Sequence, residues 1–144
     1  GEARALTVEH VMAALYAHGI DNCLLELDGP EPPIGDGSFL PYGAAILDAG
    51  IADQGEPARV LTVAEPLSLN AENGESYVVA PDPAYRITAC IDFAHPAIGK
   101  QFGSFSIRPD VWFDELAAAR TFGFKAEAEA LMSRGLAQGA SLDN

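Results

Sequence analysis

Three features of this 144-residue sequence predict an α+β fold. Apolar residues recur at helical spacing near its start, short alternating apolar runs bounded by turn signals fill its middle, and helical patterns return after Pro109. Helices and strands segregated in this way pack as layers, with helices covering one face of each sheet. The polar, turn-rich stretch over 50–57 is the natural seam, dividing the chain into sheet-and-helix units over 1–55 and 58–144.

Taken in order, Thr7 is placed to cap a first helix whose apolar positions Val8, Val11, Met12 and Leu15 share one face, and Gly19 ends it. A strand is expected over 22–27. After the Pro-rich loop "DGPEPPIGDGS", Asp36, Gly37 and Ser38 make a turn, and Ser38 caps a second helix through Leu47, with Pro41 tolerated in its first turn. Beyond the seam, strands are expected over 60–63, 77–80, 86–92 and 104–107, punctuated by an Asn-Gly and a Pro-Asp-Pro turn. A helix from Pro109 or Asp110 to Ala119 and another over 125–134, stopped by Gly135, complete the pattern.

Composition narrows the function. The chain is 49% hydrophobic and carries 8 Lys and Arg against 21 Asp and Glu, a net charge of −13. Binding nucleic acid through phosphates requires the opposite balance, and there is no basic patch for a membrane surface. No apolar run reaches the roughly 18 residues of a membrane span, and the first residues have no signal-peptide pattern. Cys23 and Cys90 lie in alternating apolar runs, which predicts buried free thiols and a reducing compartment.

Chemistry concentrates in "TVEHVMAAL". Glu9 and His10 fall in the first turn of the predicted helix, where unpaired N–H groups and the helix dipole favour an ionised carboxylate and a neutral imidazole. Those are the states of a general base and a metal ligand; taken alone, an acid in a first turn is more often an ordinary capping choice. A catalytic zinc site takes three protein ligands and leaves one position open. His18 is on the order of 12 Å further along the same helix, and His95, in "DFAHP", is a single loop histidine, so the local ligands do not complete a site.

The ordered set "TVEHVMAAL", "GIDN", "DGPEPPIGDGSFLPY", "IDFAHPAIG", "ARTFGF" and "SRGLAQGASLDN" resembles the zinc-dependent UDP-3-O-acyl-N-acetylglucosamine deacetylases of Gram-negative lipid A synthesis, over nearly the whole chain. The resemblance implies that Glu9 is the general base and His10 one of three zinc ligands. It implies that Thr121 hydrogen-bonds the oxyanion and lies with Phe122 against substrate, and that Asp92 and Phe93 contact the uridine. The segment 124–142 would help to line the acyl-chain passage.

The same resemblance implies two related subdomains, both incomplete here: 1–55 as the C-terminal part of the first and 58–144 as the N-terminal part of the second. The family's other two zinc ligands, a His and an Asp in an HKxxD motif, are expected downstream of Asn144, with a late catalytic histidine; an internal fragment is therefore the expectation. The implied reaction is zinc-assisted removal of the N-acetyl group from a small-molecule UDP-acyl-sugar in the cytoplasm, with no obligate protein partner. The alternative is a UDP-sugar-binding or structural α+β relative that has lost the metal site.

Overall fold

A computed structural model describes residues 4–137, 139 and 141. Its elements are α1 (Glu9–Ala17), α2 (Leu40–Ala49), β1 (Leu67–Asn70), β2 (Ser76–Val79), β3 (Arg86–Phe93), β4 (Gly99–Ser106), α3 (Pro109–Val111) continued by a π-helical turn (Trp112–Leu116), and α4 (Lys125–Met132). The fold class is α+β, with helices at both ends of the sequence and two antiparallel hairpins, β1–β2 and β3–β4, between them.

The chain forms two compact units: Gly1–Gln54 with Pro109–Asn144, and Gly55–Arg108. The C-terminal helices are thus grouped with the N-terminal ones and not with the hairpins that precede them in sequence. The core lies in the first unit, where Val11, Ala14 and Leu15 of α1 are buried together with Trp112 and Ala117. Trp112 packs against Phe39, with ring centroids 5.0 Å apart, and edge-on against Tyr16 at 6.1 Å. The Ala117 N–H reaches back to the Trp112 carbonyl, the wide bonding of a π turn, where a regular helix was expected to run to Ala119.

Several local expectations are corrected. Thr7 does not cap α1: its φ is +51° and its hydroxyl donates to the Glu31 carboxylate at 2.7 Å, so the N-cap position falls to Val8, which supplies no side-chain bond. Gly19, at φ +65°, ends the helix as expected. The segment 22–27 forms no ladder and Cys23 within it is exposed. Cys90 is exposed too: among the described residues β3 is paired only with β4, and all of β3 is exposed but for the half-buried Ile91.

In the second unit, the strand preceding the Asn73–Gly74 turn is β1, over Leu67–Asn70 and not over 60–63. The turn itself forms as its sequence predicts: Ala71 N–H donates to Glu75 O, Gly74 N–H to Ala71 O, and Gly74 takes φ +94°. The strand expected over 104–107 begins earlier, at Gly99, because the 95–98 turn closes directly onto it through Ile98 and Gly99 N–H bonds to the His95 carbonyl. The final helix stops at Met132, and Gly135 at φ +78° receives the chain.

Candidate functional site

The helical periodicity of α1 separates the two chemical candidates on its first turn. His10 belongs to the stripe that also contains Val11, Ala14 and Leu15, and is only 6% exposed. Glu9, one residue and about 100° around the helix, faces solvent. A carboxylate free to meet a water molecule thus stands beside an imidazole held within the packed face.

The loop before α2 anchors this turn. Leu6 N–H donates to the Pro30 carbonyl at 2.8 Å, and Thr7 bonds Glu31 in the same loop. Further along, Asp36 accepts the Ser38 N–H at 3.0 Å and the Ser38 hydroxyl at 2.7 Å, while the Ser38 oxygen accepts the Leu40 N–H at 3.2 Å. The expected turn and cap are therefore present, although the N-cap position of α2 is Phe39. The Ser38 hydroxyl and N–H hold the Asp36 carboxyl below its ordinary value, and the Arg120 guanidinium adds a smaller pull in the same direction.

Thr121 joins the same loop from the far end of the sequence: its N–H donates to the Gly37 carbonyl at 3.1 Å. Its side chain lies on an exposed stretch, as does Phe122, whose ring meets Phe124 edge-on at 6.3 Å. One loop, 28–39, thereby receives both the Glu9–His10 turn and the Thr121 segment. The Gly37–Thr121 bond and the Thr7–Glu31 bond carry no local sequence signal; only the tertiary fold brings those residues together. Of the expected acyl-passage segment 124–142, residues 138, 140 and 142 lie outside the described residues.

Asp92 and Phe93 belong to the other unit, at the C-terminal end of β3. They stand opposite Lys100 and Gly99 in β4. Alternation along the strand sends their side chains to opposite faces of the hairpin, so the aromatic ring and the carboxylate do not share one surface. His95 closes the following turn: its N–H donates to the Phe93 carbonyl at 2.7 Å and its Nδ1 accepts the Ala97 N–H at 3.2 Å. That accepting nitrogen is occupied in shaping the turn.

Among the described residues, no three His, Cys, Asp or Glu side chains gather into a group that could hold a metal ion. His10 supplies one donor where a catalytic zinc takes three from protein, so these residues do not by themselves fit zinc. No helix among the described residues is long and apolar enough to cross a membrane.

An exposed carboxylate beside a buried imidazole on a helical first turn, tied through the 28–39 loop to the Thr121 segment, makes up the candidate site. The family model described as "LpxC: UDP-3-O-acyl N-acetylglycosamine deacetylase" matches residues 1–144. The chain belongs to this family. It is 44% identical over 144 residues to a UDP-3-O-acyl-N-acetylglucosamine deacetylase of Citrifermentans bemidjiense, covering 100% of this chain and 47% of that protein. It is 46% identical over 138 residues to the protein of the same name from Bdellovibrio bacteriovorus, covering 96% of this chain and 45% of that one. A "Bifunctional enzyme LpxC/FabZ" of Chlorobaculum tepidum is 41% identical over 145 residues, with 31% of its length covered. The chain thus spans about half or less of the length of these relatives.

Proposed function

We propose that the complete protein removes the N-acetyl group of UDP-3-O-acyl-N-acetylglucosamine by zinc-assisted hydrolysis in the cytoplasm, and that this chain carries its general base, one zinc ligand, an oxyanion donor and the nucleoside contacts. The observation that carries the proposal is the first turn of α1, where Glu9 is exposed and His10 is buried within a chain that matches the deacetylase family throughout. In a complete site zinc would supply Lewis acidity and make its water acidic. His10 would be one ligand, the other two coming from residues beyond this chain.

The chain's own residues supply three tasks. Glu9 accepts the proton of the attacking water, as an exposed carboxylate at the positive end of a helix can. Thr121, fixed at its backbone by Gly37, donates its hydroxyl to the developing oxyanion, with Phe122 beside it against substrate. Asp92 and Phe93 hold the uridine. The division into 1–55 and 58–144 as parts of two related subdomains belongs to the same proposal.

Glu9→Gln in the complete protein tests it. The amide keeps the size of the acid but cannot take up a proton, so turnover should fall by roughly 10²–10⁴-fold, the usual worth of a positioned general base. Zinc content, measured on the purified variant, should stay at the wild-type value, whereas His10→Ala should lose metal and activity together. Near-normal turnover by Glu9→Gln with zinc retained would reduce Glu9 to a helix-end residue and refute the assignment.

A further inference from the structure

The nucleoside end of β3 presents one side chain that none of the sequence motifs singles out. In the β3–β4 register Phe93 stands opposite Gly99, and Ile91 opposite Gln101. Directly paired residues share a face, so Phe93 and Gln101 are diagonal neighbours on one side of the hairpin, about 7–8 Å apart and within reach of a ring and a long side chain. Gly99 places no side chain across from Phe93, and the Phe93 residue is 36% exposed.

Gln101 is already oriented. Its Nε2 donates to the Ile98 carbonyl at 3.1 Å. Because a carbonyl can only accept, this bond fixes which end of the amide is nitrogen and turns Oε1 the other way. Among the described residues no other hydrogen bond engages the Gln101 amide, so its oxygen and second N–H remain available, and the register places Gln101 on the face that carries Phe93.

We infer that Gln101 selects uracil over cytosine at this site. The inference rests on the reading of Asp92 and Phe93 as the nucleoside contacts. Uracil presents an N3–H donor beside a carbonyl acceptor; cytosine presents at those positions a bare ring nitrogen and an amino group. The Gln101 oxygen accepts the uracil N3–H while its free N–H donates to the neighbouring carbonyl. Turning the amide to suit cytosine would break the bond to Ile98 and set oxygen against oxygen there. Stacking on Phe93 cannot make this choice, because every base offers a π-face.

Equilibrium binding of UDP and CDP to the complete protein, as wild type, Gln101→Ala and Phe93→Ala, tests the assignment. The wild type should prefer UDP by about 10- to 100-fold, the worth of a bidentate amide–base pair. Gln101→Ala should bring the ratio to within about threefold, mainly by losing UDP affinity, since stacking alone remains. Phe93→Ala should weaken both nucleotides and leave the ratio intact. No preference in the wild type, or a preference unchanged in Gln101→Ala while Phe93→Ala weakens binding, overturns the role of Gln101 alone. If Phe93→Ala leaves both affinities at the wild-type value, the nucleoside site lies elsewhere and both readings fall.

Discussion

Asp36 accepts two hydrogen bonds from Ser38, and those bonds, with the smaller pull of Arg120, lower its pKa from the usual 3.8. A carboxyl whose folded pKa is depressed contributes stability above the unfolded value and loses it as pH falls through the folded one. The wild type should therefore exceed Asp36→Asn in stability at pH 7, and the gap should close on acidification below about pH 3.8. Urea unfolding midpoints of the two proteins at pH 7 and pH 3 measure this; a gap equal at both values would show that the turn owes nothing to the charge. The Asp36–Ser38 unit was legible in the sequence because its hydrogen bonds are local. Thr7 departs from its expected capping role for the opposite reason: its hydroxyl is taken by Glu31, a partner that no local pattern announces.

Gly43 of α2 lies against His18, the residue that follows α1. A Cβ built on Gly43 would come to 3.1 Å from His18 Nε2, a buried nitrogen with no hydrogen-bond partner among the described residues. The imidazole also packs against Phe113, ring centroids 5.0 Å apart, which restricts how it can give way. Gly43→Ala should then be destabilising, even though alanine within a helix is ordinarily worth about 0.5–1 kcal/mol over glycine. In a His18→Ala background the obstacle is gone, and the same substitution should become stabilising by about that amount. Thermal or urea unfolding of the four proteins of this cycle would reveal the reversal; stabilisation by Gly43→Ala in both backgrounds would show that the close approach is not strained. At this scale the positions of α1, α2 and α4 were legible because apolar spacing and terminal glycines agree. The strand at 67–70 was not, because 60–63 is an equally apolar short run and only pairing decides between them. The place of Gln101 was not legible for the same reason: the strand pattern begins beyond it, at 104, and its position beside Phe93 exists only in the observed register.

Over the whole chain, burial is unevenly shared. Among the described residues, every buried one lies in the first unit, and none of Gly55–Arg108 is buried. Yet each hairpin of that second unit has an apolar face. Leu67, Leu69, Tyr77 and Val79 share one side of β1–β2, all exposed, and Ile87, Ile91, Phe93 and Phe105 share one side of β3–β4. An isolated two-stranded hairpin is marginal in water, and exposed apolar faces with open strand edges invite pairing with other chains. Residues 1–144 prepared alone should therefore self-associate and bind a dye such as ANS. Leu67 and Val79 are directly paired, so Leu67→Lys with Val79→Glu sets opposite charges across the strands, which supports the hairpin while removing its apolar face. In the 144-residue chain that double substitution should reduce association, seen by light scattering, with strand content unchanged by circular dichroism. In the complete protein, if the same face is covered, it should instead lower stability, because burying two charges costs more than burying two aliphatic side chains. A monodisperse, dye-silent 144-residue chain whose behaviour the substitution does not alter would show that the hairpins stand without a covering layer, and that their apolar alternation is not a surface for burial.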